Sequence, residues 1–160
     1  MRPVPLESQE KVLNQAAALL EYQNRSSQAL FERLLEKGAE ERDAAYAVAK
    51  LQELGYLDDA RYGALIVRDL VARGYGKGRV RQKLREKKVD EHVIQTLLEE
   101  YEPDREKLAA LAASRLRGKQ VDRRELKRTA DALFRRGFSW GEIQDVLREY
   151  QEQTEDVYDD

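Results

Sequence analysis

The sequence Leu34-Leu35-Glu36-Lys37-Gly38-Ala39 recurs about fifty residues later as Leu84-Arg85-Glu86-Lys87-Lys88-Val89, and again as Leu133-Phe134-Arg135-Arg136-Gly137-Phe138. Charged residues followed by glycine are typical of a helix end, because glycine adopts the left-handed conformation at little cost. Lys88 replaces the glycine in the second copy, so it either carries that strain or turns differently. The alternative is chance likeness among amphipathic helices, but three copies that agree in motif, spacing and turn predict three successive repeats.

Helical periodicity extends over nearly the whole chain on both sides of these motifs. Apolar residues recur at helical spacing, whereas the alternating patterns of strands are missing. Prolines occur only at positions 3, 5 and 103, which leaves long segments free to form helices. The pattern predicts nine helices, near residues 7–22, 26–37, 40–54, 59–73, 77–87, 90–101, 104–117, 122–136 and 139–152. Side chains that can cap a helix N-terminus precede five of them: Ser26, Asp58, Asp90, Asp122 and Ser139.

The predicted fold class is all-α, with three tandem three-helix repeats of about 50 residues that form an elongated, curved array. A repeat of this size buries little core alone, so neighbouring repeats should share faces. We expect repeat one at residues 1–57, repeat two at 58–102 and repeat three at 103–152. No base follows Arg148, and residues 153–160 are predicted to be a disordered acidic tail.

Composition argues against an enzyme or a cofactor protein. The chain has no cysteine, which excludes a thiolate metal site and a cysteine nucleophile, and it has a single histidine, His92, flanked by Glu91 and Val93. We expect His92 to lie on a helix surface, and no cofactor or metal to be bound. No apolar stretch approaches the roughly 20 residues of a spanning helix, and no export signal is visible. A cytoplasmic protein is therefore expected.

Two further features could in principle carry chemistry. Asp58 and Asp59 form a carboxylate pair, but acids at the first turn of a helix also complement its dipole, and a helix start is the simpler account. Trp140 stands at the start of the last helix and is expected to pack rather than to bind.

The strongest local signal is a glycine-rich turn that leads into a basic helix. Residues 73–88 contain eight basic residues and one acid, Glu86. A phosphate-binding loop would need a preceding strand, and the Walker type also needs Gly-Lys-Ser/Thr, which is absent. Val80 and Leu84 form a narrow apolar stripe, so the charges surround the exposed surface of the helix. This surface either meets phosphates or carboxylates of a partner or is simply solvated.

A second basic region spans residues 115–136 and is diluted by Asp122, Glu125 and Asp131. Tyr75 is the aromatic residue best placed to stack beside the basic turn, although packing against the following helix is an equal alternative. The residues predicted to contact a partner or DNA are Arg68, Arg73, Tyr75, Lys77, Arg79, Arg81, Lys83, Arg85, Lys88, Arg124 and Arg128.

Several motifs in their order along the chain resemble the RecX family. They are Gly55-Tyr56-Leu57-Asp58-Asp59-Ala60-Arg61-Tyr62, then Gly74-Tyr75-Gly76, and then Arg79-Val80-Arg81-Gln82-Lys83-Leu84. Arg136-Gly137-Phe138-Ser139 is similar to the start of that family's closing helices, and the resemblance covers roughly residues 8–150. The family usually has proline at the position of Lys77 and glycine at that of Lys88.

The resemblance implies a modulator of the RecA recombinase, active in DNA repair, recombination and the SOS response. Such a protein lodges in the groove of the RecA filament on single-stranded DNA and lowers ATP hydrolysis, strand exchange and filament growth without chemistry of its own. It implies a monomer without membrane contact, and leaves open whether the single-stranded DNA is touched directly. The alternative is a standalone nucleic-acid-binding protein that uses the same basic helix.

Overall fold

The computed structural model describes residues 7–158, and over these residues the chain has nine helices and no strand. The predicted all-α fold class is confirmed. Eight of the nine helices end within two residues of the predicted bounds. The helices are α1 Glu7–Tyr22, α2 Ser27–Glu36, α3 Glu41–Glu53, α4 Asp59–Ala72, α5 Lys77–Glu86, α6 Glu91–Glu99, α7 Arg105–Leu116, α8 Arg123–Arg135 and α9 Trp140–Tyr158.

The recurring motif ends the second helix of each repeat in the same way. Gly38, Lys88 and Gly137 all have positive φ, at 97°, 59° and 98°. In each copy the N–H of the motif's last residue donates to the carbonyl of its first leucine, which satisfies an otherwise orphaned helix carbonyl. Lys88 thus adopts the left-handed conformation despite the cost to a side chain with a Cβ.

Helix starts follow the predicted capping residues. Five side chains accept from a backbone N–H two or three residues later, at 2.9–3.2 Å, namely Ser26, Asp58, Asp90, Asp122 and Ser139. Glu142 also accepts the Ser139 N–H at 3.0 Å, which completes a reciprocal capping box at the start of α9. These local bonds explain why the helix boundaries could be predicted from sequence.

Contacts divide the chain into two compact bodies, and the residues of the middle repeat are shared between them. The N-terminal body consists of residues 1–65 and 84–97, and the C-terminal body of residues 66–83 and 98–160. The predicted repeat boundaries at 57/58 and 102/103 fall between α3 and α4 and between α6 and α7.

Each body has its own apolar core. In the N-terminal body it is made by Val12, Ala16, Leu30, Leu34, Ala44, Ala47, Leu51 and Leu57. In the C-terminal body it is made by Leu108, Ala112, Leu116, Leu133, Phe138, Ile143, Val146 and Leu147. Leu34 and Leu133, which open two copies of the motif, are therefore core residues, and Leu84 of the other copy is also fully buried, which is why the motif recurs with the period of the fold.

The end of α9 corrects one prediction. The helix runs to Tyr158, so residues 153–158 of the expected disordered tail are helical, and residues 159–160 lie outside the described part of the chain. No glycine or proline interrupts residues 149–158, and Thr154 Oγ1 donates to the Tyr150 carbonyl within the extended helix. Acidic composition suggested disorder, but the absence of helix breakers decides the outcome.

Candidate interaction surface

The glycine turn, residues 73–78, is a packed joint in the C-terminal body. The Gly76 N–H donates to the Arg136 carbonyl at 2.8 Å, and the Gly78 N–H donates to the Gly137 carbonyl at 2.9 Å. A Cβ on Gly76 would lie 2.5 Å from Gly137 C and Phe138 N. The amides that a phosphate loop would aim at a ligand are thus already bonded to carbonyls. The glycines allow the backbone of the turn to approach the backbone of Gly137 closely.

Arg136 holds the same joint through its side chain. Its Nε donates to the Gly74 carbonyl at 2.9 Å and its Nη2 to the Arg73 carbonyl at 2.8 Å. The guanidinium lies 4.5 Å from the centre of the Tyr75 ring, and that of Arg73 lies 5.6 Å from it. Both distances allow cation–π attraction. Tyr75, predicted either to stack on a ligand or to pack, holds two arginines of its own chain.

Sequence reasoning placed Arg136 in the second basic region but not among the contact residues, and its role in the joint was missed. The signal available was its position just before Gly137 in the repeat motif. The partner carbonyls are 62 and 63 residues away, so nothing local indicated the contact.

Helix α5 presents its cations on two flanks of a buried stripe. Val80 and Leu84 are fully buried, as predicted. Lys77 and Arg81, four residues apart, lie on one flank, and Arg79 and Lys83 lie on the other. Arg79 donates to Gln82 Oε1 at 2.7 Å. Among the side chains that the structure describes, residues 7–155, no carboxylate pairs with Lys77, which is exposed, or with Arg81, which is half-buried.

Arg85 and Lys88 differ from these four because they belong to the N-terminal body and are neutralised there. Arg85 Nε lies 2.8 Å from Glu91 Oε1, and the hydrogen bond to Glu91 raises the pKa of Arg85. Lys88 pairs with Glu32, and the hydrogen bond from Lys88 lowers the pKa of that carboxyl. Exposed pairs of this kind stabilise little, but they cancel charge. The uncompensated charge of the basic helix is thus in its first half.

The remaining predicted contact residues lie on α4, in the glycine turn and on α8, all in the C-terminal body. Arg68 and Arg124 are exposed and unpaired within the described residues, whereas Arg73 pairs with Asp69 at 3.3 Å and Arg128 with Glu125 at 3.6 Å. Because α8 ends at the joint with α5, Arg124 lies about 18 Å along the helix axis from Arg136. The two basic regions therefore meet at the joint, and Arg124 lies well away from it.

A pair of stacked aromatic rings lies just beyond this joint. The rings of Phe134 and Trp140 have centroids 4.5 Å apart and planes 12° from parallel. Phe134 is 48% exposed and Trp140 46%. Trp140 does pack against another ring, as expected, but the pair stays open to solvent.

The other residues that could in principle carry chemistry have structural roles or lie on a helix surface. Asp59 Oδ1 accepts from the Ser27 N–H and from Ser27 Oγ, both at 2.8 Å, and so satisfies an orphaned amide at the start of α2. Asp58 caps α4, and His92 is exposed on α6. Among the described residues no cluster of three or more histidine, aspartate or glutamate side chains is arranged to hold a metal ion.

None of the helices in the described part of the chain is long and apolar enough to cross a membrane. The fold and its surface define a class: an all-helical protein of repeated three-helix units that carries, on its C-terminal body, cations unpaired among the described residues.

Comparison with known families specifies this class further. Residues 58–98 match the model of the second three-helix domain of RecX, and residues 102–147 match that of the third. The regulatory protein RecX of Vibrio parahaemolyticus is 37% identical over 134 residues, which cover 82% of this chain and 86% of that protein. The one from Stenotrophomonas maltophilia is 33% identical over 138 residues, 85% of each chain. The chain belongs to the RecX family.

Solved structures agree on the fold. The crystal structure of RecX from Lactobacillus salivarius matches with a TM-score of 0.81 at 23% identity, over 89% of this chain and 96% of that one. A second crystal structure, of a regulatory protein RecX, matches with a TM-score of 0.76 at 25% identity, over 92% and 81% of the two chains. The two crystal structures match more of this chain than the two family models do, so the likeness includes much of the first repeat.

Proposed function

We propose that this chain is a cytoplasmic, monomeric RecX regulator that binds the RecA filament in its groove and lowers RecA's ATP hydrolysis, strand exchange and filament growth. The relatives named regulatory protein RecX support a regulatory role. The protein acts by occupying a surface and catalyses no reaction.

The observation that carries the proposal is the set of cations left without a carboxylate partner on the C-terminal body. Among the predicted contact residues within the described part of the chain, these cations are Arg68, Lys77, Arg81 and Arg124. A protein filament on single-stranded DNA offers both carboxylates and phosphates, and guanidinium groups bind either by paired hydrogen bonds. The whole chain has a net charge of −2, which argues against general attraction to bare polyanions and for a target that also offers protein contacts.

The test compares two double variants of the same helix. In Lys77→Gln/Arg81→Gln two uncompensated cations are removed, whereas in the control Arg85→Gln/Lys88→Gln two cations already paired with Glu91 and Glu32 are removed. RecA-driven, DNA-dependent ATP hydrolysis is measured against the concentration of each protein.

We expect the first variant to need about tenfold more protein for half-inhibition, the equivalent of about 1.4 kcal/mol. The control should stay within about twofold of the wild type, because exposed pairs contribute little and their charge is already cancelled. Equal effects of the two variants would exclude the first half of α5 as the contact surface. Absence of inhibition by the wild type would reject the proposed function.

The second candidate function, a standalone nucleic-acid-binding protein, is favoured by the exposed aromatic pair beside the basic region. Binding that depends on phosphates weakens linearly in a plot of log affinity against log salt concentration. Failure to retain labelled strands at low salt, with RecA inhibition intact, would eliminate this function.

A further inference from the structure

Phe134 and Trp140 form an exposed aromatic pair at the end of α8 and the start of α9. A single exposed aromatic side chain, such as Tyr22 or Tyr56, is ordinary, whereas exposed apolar side chains in contact with each other often mark a binding site. Here two such side chains are stacked on each other. Each of the two residues keeps about half of its surface open to solvent, which leaves room for a third flat group to stack.

Cations lie beside the rings on the exposed side of α8. Lys127 precedes Phe134 by seven residues, which is two helical turns, so the two residues share a face. Arg128 likewise precedes Arg135 by seven residues and lies on the same face as Arg135. Lys127 and Arg135 are exposed and have no carboxylate partner among the described residues. Asp131, half-buried, is the acid on this face.

From this arrangement we infer that Phe134 and Trp140 form a stacking platform for an unpaired nucleobase, with the cations of α8 holding the phosphates of the same strand. Proteins that bind single-stranded nucleic acid without reading its sequence combine aromatic rings, on which the bases stack, with cations that follow the backbone. A duplex would not fit, because its bases are already stacked on one another. A partner protein would usually offer a pocket for a protruding side chain, and a flat double ring with cations two turns away suits a base and its backbone better.

The inference extends the proposed function, and it rests on that function for the presence of single-stranded DNA. It adds a direct DNA contact that the basic helix α5 alone does not provide. Tyr75 has no comparable freedom, because Arg136 and Arg73 lie against its ring.

Trp140 is the only tryptophan in the chain, so its fluorescence reports on this one place. The full-length protein is titrated with an oligo-dT strand, with an abasic strand of the same length and with a duplex. We expect saturable quenching by oligo-dT and little by the other two. The abasic strand keeps the phosphates, so equal quenching by it would overturn the inference.

Variants of the two aromatic residues test the stacking while the cations stay in place. Phe134→Leu keeps an apolar side chain of similar volume, and we expect it to weaken oligo-dT binding about tenfold or more while circular dichroism stays helical. Trp140→Leu, followed by anisotropy of a labelled strand, should do the same, and Trp140→Phe should restore much of the loss. The control is Tyr22→Ala, which removes an aromatic side chain that is 87% exposed on the N-terminal body. Unchanged binding by both leucine variants would overturn the inference.

RecA-driven ATP hydrolysis is measured on the same proteins, so that the two proposals fail separately. Inhibition of RecA by the wild type without quenching of Trp140 by oligo-dT would overturn the stacking platform and leave the proposed function standing. Quenching of Trp140 by oligo-dT without inhibition of RecA would reject the proposed function and leave the stacking platform standing. Quenching by RecA in the absence of DNA would assign the rings to a protein contact and overturn the inference.

Discussion

A methyl group added at Gly76 tests the joint between the glycine turn and the end of α8. The Cβ of Gly76→Ala would meet main-chain atoms of Gly137 and Phe138 at 2.5 Å. Backbone atoms cannot rotate away as a side chain can, so the two turns must separate. Gly76 itself does not have positive φ, and alanine could adopt its backbone conformation without strain. The whole cost therefore comes from the broken contact.

The size of this cost follows from what the separation breaks. Two backbone hydrogen bonds are lost, from the N–H groups of Gly76 and Gly78, at about 0.5–1.5 kcal/mol each. The two bonds from the Arg136 guanidinium to carbonyls of the turn are weakened as well, and bonds from charged donors are worth about 1.5–3 kcal/mol. With partial relaxation we expect a loss of about 3 kcal/mol in the free energy of unfolding.

Two other glycines provide matched controls. At Gly38 an added Cβ has nothing within 4 Å, but φ is +97°, so Gly38→Ala should cost only backbone strain, about 1–2 kcal/mol. At Gly141, in α9, the nearest atom to an added Cβ is 4.0 Å away and φ is ordinary, so Gly141→Ala should stabilise by about 0.5–1 kcal/mol.

The assay is urea unfolding followed by far-ultraviolet circular dichroism, together with hydrogen exchange of the Gly76 and Gly78 amides. Exchange is needed because a chain with two compact bodies can unfold in more than one step. The expected order of stability is Gly141→Ala, wild type, Gly38→Ala and then Gly76→Ala, with fast exchange of the Gly78 amide in the last. A Gly76→Ala protein as stable as Gly38→Ala would refute the reasoning.

Three further predictions concern other parts of the fold. Asp59→Ala should lower the free energy of unfolding by about 2 kcal/mol in urea denaturation, because both hydrogen bonds to Ser27 are lost. Lys88→Gly should raise it by about 1 kcal/mol in the same assay, since relief of the positive φ exceeds the loss of an exposed ion pair. Burial, Glu142 and Asp104 raise the pKa of Tyr101 to about 12, so the folded state keeps a proton that the unfolded state loses above its ordinary pKa of 10. Stability should therefore fall from pH 10 to 12, and fall less in Tyr101→Phe, as measured by urea unfolding at each pH.

The elements that sequence predicted well are those whose causes are local. α2 was expected near residues 26–37 and spans Ser27–Glu36, with Ser26 as its cap. Both ends depend on hydrogen bonds within a few residues, and such bonds have a sequence signature. The positive φ of Lys88 was recognisable because the other two copies of the motif have glycine there.

The elements that sequence could not predict depend on contacts between distant segments. The glycines of residues 74–78 were visible, but their reason, the approach of the Gly137 backbone, lies some sixty residues away. Likewise Lys88 was counted among the contact cations, while its partner Glu32 is 56 residues distant. Composition shows how many charges a segment has, and only the fold shows which of them are cancelled.

This cancellation divides the basic helix α5 into two parts with different physical roles. In its second part Leu84 is buried, Arg85 pairs with Glu91, and the following turn pairs Lys88 with Glu32, so these two cations are neutralised within the N-terminal body. In its first part Lys77 and Arg81 have no such partner among the described residues. Counting residues 73–88 as one patch therefore overstates the surface available to a partner. A chain of net charge −2 can present a strong local cation surface in this way while repelling polyanions elsewhere, which favours a target that matches shape as well as charge.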